Sequence, residues 1–212
     1  MKIYVMGDVH GEFGILNKFI NKKNPDIILQ CGDFGYFPRH NNLQTLKNKN
    51  TKIYFCDGNH EDFESLISHS TGEVYKNCFW MKRGTTFDLP DGRVVLFFGG
   101  ASSIDKEQRE IGFDWFPQED ITYSEINALD PNLKVDIVIS HTCPNEFDIC
   151  LNEYVVENDI NRKCLSHILK TYNPKFWYFG HWHKYRQGIF NDCRWYALNY
   201  SLSGDIWYMD LV

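Results

Sequence analysis

The chain has 212 residues, 43% hydrophobic and 16% aromatic, enough apolar mass for one sizeable core, which excludes a disordered chain. Its net charge of -6 lacks the basic footprint that nucleic acid demands, so nucleic acid is an unlikely partner and a nuclease is disfavoured. Seven scattered cysteines without a C-x-x-C, a first apolar run too short for a secretion signal, and no membrane-length segment predict a cytoplasmic protein with buried thiols and no membrane partner.

In chain order, apolar β-rich runs at 3–6, 27–31, 52–56, 94–98, 135–140 and 176–179 are predicted as buried sheet strands. Between them, 14–23, 61–69 and 160–170 carry helical spacing, as in Ile160, Cys164, Leu165 and Ile168. The C-terminal part then reads as consecutive strands at 185–189, 194–198 and 205–211, with Asn191-Asp192 and Ser203-Gly204 as turns. Strand–helix alternation followed by a strand-rich tail predicts an α/β fold, a single domain over 1–212, with a mixed sheet or two stacked sheets.

The unusual polar residues fall at strand ends. The first strand runs into Gly7-Asp8-Val9-His10-Gly11 and the second into Gly32-Asp33-Phe34-Gly35. The third leads to Gly58-Asn59-His60-Glu61, and later strands end in Ser140-His141 and Gly180-His181-Trp182-His183. The carboxyl ends of strands are where ligands bind in open α/β sheets. Any one Gly-Asp pair is ordinary turn chemistry, and a lone His is more often structural. Five of the eight His at such ends are not explained that way, whereas His40, His69 and His167 fall in loops or helices and are read as structural.

In extended backbone, residues i and i+2 face the same side, so Asp8 with His10, and His181 with His183, can address one ion together. Carboxylate, imidazole and amide donors without thiolate suit Mn²⁺ first, and also iron, zinc or nickel. A metal ion held by such donors would draw an anionic guest to this edge, whatever the charge of the rest of the surface.

The ordered set G-D-V-H-G, G-D-F-G, G-N-H-E, S-H-T and G-H-W-H resembles the calcineurin-like metallophosphoesterase family, from residue 7 to residue 183. The resemblance implies a four-layer α/β/β/α sandwich with a two-metal site at the strand carboxyl ends. It implies that Asp8, His10, Asp33 and His183 hold one ion, and that Asp33 bridges to a second completed by Asn59, His141 and His181. His60 resembles the family's catalytic His, which contacts the substrate or protonates the leaving oxygen. Two ions on a shared carboxylate acidify a common water and clamp phosphate oxygens, the route to monoester or diester hydrolysis.

The family's protein Ser/Thr phosphatases continue the second motif as G-D-x-V-D-R-G, where this chain has Tyr36 and Phe37 in place of the Asp and Arg. That weakens the protein phosphatase alternative, and Arg39 or Arg109 becomes the candidate phosphate-binding residue. A non-catalytic scaffold would expect eroded ligand positions, but every motif position is filled. The 112–120 run reads as a substrate wall or as peripheral core, and 143–158 as a candidate cover for the site.

Overall fold

The computed structural model describes residues 1–40, 45–48, 50–149 and 159–212. Its first half carries β1 (Ile3–Met6), α1 (Phe13–Lys23), β2 (Ile27–Gln30), β3 (Lys52–Phe55), α2 (Phe63–Ser68), β4 (Glu73–Tyr75), β5 (Cys78–Trp80), β6 (Thr85–Asp88) and β7 (Val94–Phe98). The second half carries α3 (Tyr123–Asn127), β8 (Ile137–Ser140), α4 (Ile160–Tyr172), β9 (Phe176–Phe179), β10 (Arg186–Phe190), β11 (Cys193–Ala197) and β12 (Tyr208–Asp210).

These strands form two six-stranded sheets, in the orders β12-β1-β2-β3-β5-β4 and β10-β11-β9-β8-β7-β6. In each sheet the four inner strands run parallel and both edge strands run antiparallel. The alternation of side chains along each strand builds three apolar layers. Val5, Leu29, Val95, Phe97, Ile139 and Tyr178 pack between the sheets. Tyr4, Met6, Ile28 and Phe55 face the other way, against Phe13, Leu16 and Ile20 of α1 and Leu66 of α2. Leu96, Val138, Trp177 and Phe179 take Ile126 of α3 and Leu165, Ile168 and Leu169 of α4 on the opposite outer face. The result is the four-layer α/β/β/α sandwich, and neither sheet closes.

The strand-rich tail is divided between the sheets. A hairpin over Asn191-Asp192 pairs Phe190 with Cys193, and Asn191 takes the left-handed backbone this turn requires. β11 then lies parallel to β9, while β12 crosses to the first sheet and pairs antiparallel with β1. Three short strands, β4 to β6, and helix α3 add to the elements expected from the sequence. The strands are only three or four residues long, too short for a period of two to stand out in the sequence. The helix has five residues but a complete capping box between Thr122 and Glu125. No helix among the described residues is long and apolar enough to cross a membrane.

Candidate metal centre

Because β1, β2, β3, β8 and β9 are parallel within their sheets, the loops after them emerge along one edge of the sandwich and carry every predicted ligand. The first two loops are laced together: Val9 and His10 N–H both donate to the Asp33 carbonyl at 3.0 and 2.8 Å, and Gly11 N–H donates to Phe34 O at 2.9 Å. Two glycines make room for the carboxylates. A Cβ on Gly180 would overlap Asp8 Oδ1, and one on Gly58 would overlap Asp33 Oδ1.

Eight non-glycine residues among those described adopt left-handed backbone, and they fall into two sets. Asn24, Asn77, Asn173 and Asn191 belong to turns and helix ends, where asparagine tolerates that conformation. The other four are His10, Asp33, His181 and His183, at φ values of 50°, 52°, 66° and 49°. Such conformations cost on the order of 1–3 kcal/mol each and persist where the surrounding structure enforces them for function.

The predicted ligands form two groups sharing Asp8, namely Asp8 with His10 and His183, and Asp8 with Asp33 and His141, each with ligand atoms within 4.8 Å of one another. His10 Nε2 and His183 Nε2 stand 3.1 Å apart, and His183 Nε2 is 3.1 Å from Asp8 Oδ2. Asp33 turns Oδ2 toward His10 at 3.8 Å and Oδ1 toward His141 Nε2 at 3.3 Å, one oxygen to each end. Asn59 Oδ1 meets His141 Nε2 and His181 Nδ1, both at 3.1 Å. Imidazole and carboxylate lone pairs aimed at common points, with no thiolate among them, are a donor set that fits divalent transition ions. The sequence assigns Asp8 to one ion, yet its carboxylate belongs to both groups.

Electrostatics agree with a site built for cations. Burial alone would raise the Asp33 carboxyl, but the facing His141 ring, by charge and hydrogen bond, holds it well below the usual carboxylate range. Burial would lower His141, yet Asp33 and then Asp8 lift it to about 9. His181 falls to about 3, first through burial and then through its neighbour His141.

Glu61 holds this geometry in a way its motif does not reveal. Glu61, fully buried, accepts from the N–H groups of Phe34, Gly35 and Tyr36 and so fixes the turn that presents Asp33. Burial and then Asp33 push the Glu61 carboxyl well up, against those three donors. An acid inside G-N-H-E was visible as a residue, but its target 27 positions upstream was not.

Beside the ligands lies a cleft of about 480 Å³ lined by His60, Ser102, Ile104, Asp105, Arg109 and Trp182 as well as by Asp33, Asn59, His181 and His183. Of the two arginine candidates, Arg109 reaches it. Asp105 Oδ1 grips Arg109 Nη2 at 2.8 Å, and the same nitrogen stands 3.3 Å from His60 Nε2. A guanidinium cannot accept, so Nε2 of His60 is the acceptor there and its proton sits on Nδ1. Burial holds His60 below the usual imidazole range; Asp33 pulls it up and Arg109 pushes it further down. Arg39 is elsewhere, forked onto Asp62 at 2.5 and 2.7 Å and joined to Glu64 and the Gly112 carbonyl.

The 112–120 run is part core and part surface, with Phe116 and Glu119 buried and Phe113 exposed. Phe116 is buried against Phe63, and none of these residues lines the cleft. Of 143–158, residues 150–158 lie outside the described residues. Cys143, Phe147 and Ile149 are core, and the buried Arg162 guanidinium ties down the carbonyls of Cys143, Pro144 and Phe147. His69 bonds the Tyr36 hydroxyl at 2.7 Å and His167 is exposed, so both remain outside the centre.

A four-layer sandwich with this cluster at its edge defines a metal-dependent phosphoester hydrolase. The chain belongs to the calcineurin-like phosphoesterase family, whose model matches residues 1–185. No curated protein matches it in sequence. Among solved structures, the protein TT1561 of Thermus thermophilus superposes with a TM-score of 0.63 at 16% identity, over 99% of this chain and 95% of that one. A dimetal phosphatase from Danio rerio gives 0.58 at 13% identity, over 97% and 89%. GAP50, the anchor in the inner membrane complex of Plasmodium, gives 0.52 at 12% identity, over 95% and 72%. At these identities the likeness establishes the fold alone.

Proposed function

We propose that the chain hydrolyses small phosphate monoesters or diesters with two divalent ions, Mn²⁺ first among them, held between Asp8, His10, Asp33 and His183 at one end and Asp33, Asn59, His141 and His181 at the other. The observation that carries this reading is that Asp33 offers one oxygen to each end, beside imidazoles whose lone pairs converge. When bound, the two ions supply an acidified water and a Lewis-acid clamp for phosphate oxygens. The remaining work falls to the chain's own side chains. Arg109, held by Asp105 on the cleft wall, donates to a phosphate oxygen. His60, neutral at physiological pH, is freed from the donating Arg109 when substrate separates the two, so its ring proton can move to Nε2 and be donated to the ester or its departing oxygen. Its backbone N–H meanwhile donates to Asp33 Oδ1 at 2.8 Å and steadies the carboxylate shared by the two ends.

The buried Tyr36, packed on His69 and Tyr75, gives the loop after β2 no counterpart of the acid found in the protein phosphatase motif. Small esters are therefore favoured over phosphoproteins. A cytoplasmic setting is supported by the six described cysteines, all buried and free.

Elemental analysis, chelation and re-addition of single ions, read on a panel of phosphate mono- and diesters, test the proposal. We expect two ions per chain, activity lost on chelation and activity restored by Mn²⁺. Undiminished hydrolysis after stringent metal removal would sink it.

A further inference from the structure

Asn59 presents a carboxamide whose two ends are nearly identical in shape and opposite in hydrogen-bonding character. Metal binding needs its oxygen, not its nitrogen, turned toward His141 and His181. The strand and the preceding glycine bring the side chain to the site but do not choose which end faces inward. The choice comes from the other side. Asn59 Nδ2 lies 3.1 Å from Ser103 Oγ, and Ser103 Oγ lies 2.8 Å from Glu119 Oε2. Asn59, Ser103 and Glu119 are all buried, so water offers no substitute partner.

A carboxylate only accepts, and a serine has one hydrogen to give. Ser103 spends that hydrogen on Glu119, leaving a lone pair that takes the Asn59 N–H. The amide oxygen is thereby turned to the ligand side, where it stands 3.1 Å from His141 Nε2 and from His181 Nδ1. Glu119 is itself fixed through its other oxygen, Oε1, which accepts from Ser103 N–H at 2.6 Å and from the Trp115 indole at 2.8 Å. The two oxygens have separate tasks: Oε1 anchors the loop after β7, and Oε2 sets the direction of the relay. We propose that Glu119, acting through Ser103, is a positioning residue that locks the Asn59 carboxamide with its oxygen toward the second ion. This rests on the two-ion reading above and extends it to residues 44 and 60 positions beyond the ligand they orient.

Glu119→Gln isolates the effect. The new amide oxygen can keep both bonds of Oε1, while its nitrogen faces Ser103 as a donor in place of an acceptor. Ser103 is then free to donate to Asn59, which invites the carboxamide to flip. Metal-stripped full-length wild type, Glu119→Gln, Ser103→Ala and Ser103→Thr are titrated with Mn²⁺ by calorimetry, with thermal unfolding as the fold control. The ion proposed for Asp33, Asn59, His141 and His181 should weaken roughly 10–100-fold in Glu119→Gln and Ser103→Ala, the range for partners behind metal ligands, while the ion at the His10 and His183 end keeps its affinity. Ser103→Thr retains the hydroxyl and should stay near wild type.

The decisive arm repeats Glu119→Gln in an Asn59→Asp background. A carboxylate at that position has no donor end to misplace, so the Glu119 effect should vanish there. A merely structural Glu119 would cost the same in both backgrounds. If Glu119→Gln does not fold, the Ser103→Ala and Ser103→Thr pair reads the same relay. Variants that melt like wild type and bind both ions as tightly overturn the proposal alone. A wild type that takes up a single ion overturns the two-ion reading and the proposal together.

Discussion

At the open end of the centre, His10 and His183 stand with 27% and 46% of their side chains exposed, joined to the interior through Asp8. At the buried end, Asp33, Asn59 and His141 expose almost no surface, and each has a named partner behind it. The His60 N–H serves Asp33, Ser103 serves Asn59, and the Cys31 carbonyl lies 2.8 Å from Nδ1 of His141. That carbonyl takes the Nδ1 proton and leaves Nε2 for the ligand face. The difference follows from solvation. An exposed imidazole can exchange partners with water, whereas a buried ligand without a fixed partner would leave an unsatisfied polar atom or the wrong tautomer.

The largest expected effect comes from Asp33, which turns one carboxylate oxygen to each end. Asp33→Asn should lower kcat by more than the roughly 10–100-fold typical of outer partners, and by more than Asn59→Ala. Steady-state kinetics at saturating Mn²⁺ decide this, and equal mild losses would contradict the shared carboxylate.

Next in size is the stability of the metal-free protein. His141→Ala removes the cationic partner of two buried carboxylates and should cost roughly 3–5 kcal/mol, against about 0.5 kcal/mol or less for the exposed His183→Ala. The pH dependence has a definite sign. His141 rises from 6.5 to about 9 in the folded chain, so its stabilisation is fully present below pH 6.5 and is lost as pH climbs toward 9. At the proposed centre, bound ions would take the place of that proton. Denaturant unfolding of chelated wild type should therefore weaken from pH 6.5 to 9, and His141→Ala should lack that slope. A flat wild-type profile would remove the electrostatic distinction between the ends.

The smallest effects separate the two arginines. Arg109→Ala should lower kcat/KM roughly 10–100-fold, the weight of one hydrogen bond to a charged group. Arg39→Ala should leave kcat/KM unchanged, because Asp62 and Glu64 hold its guanidinium away from the cleft. Loss of activity in Arg39→Ala alone would reverse their assignment.

The strands that bear ligands were legible because each is a short apolar run stopped by Gly or Ser and followed by Asp, Asn or His. The strands β4, β5 and β6 were not, since runs of three or four residues are too short for a period of two to stand out. Helix α3 had a readable capping box at Thr122 and Glu125, but five residues are too few for helical periodicity to emerge.

By itself the sequence determined the candidate ligand types, their order and their position at strand ends, because strand length, glycine turns and i, i+2 spacing are local properties. Tertiary structure alone decided that β12 returns beside β1, that Asp62 captures Arg39 while Asp105 presents Arg109, and that Glu61 and Glu119 stand behind Asp33 and Asn59. Apart from the local Asp105–Arg109 pair, those outcomes join residues distant in the chain. Each is settled by which polar groups the folded core brings within hydrogen-bond reach, a property that no local pattern encodes.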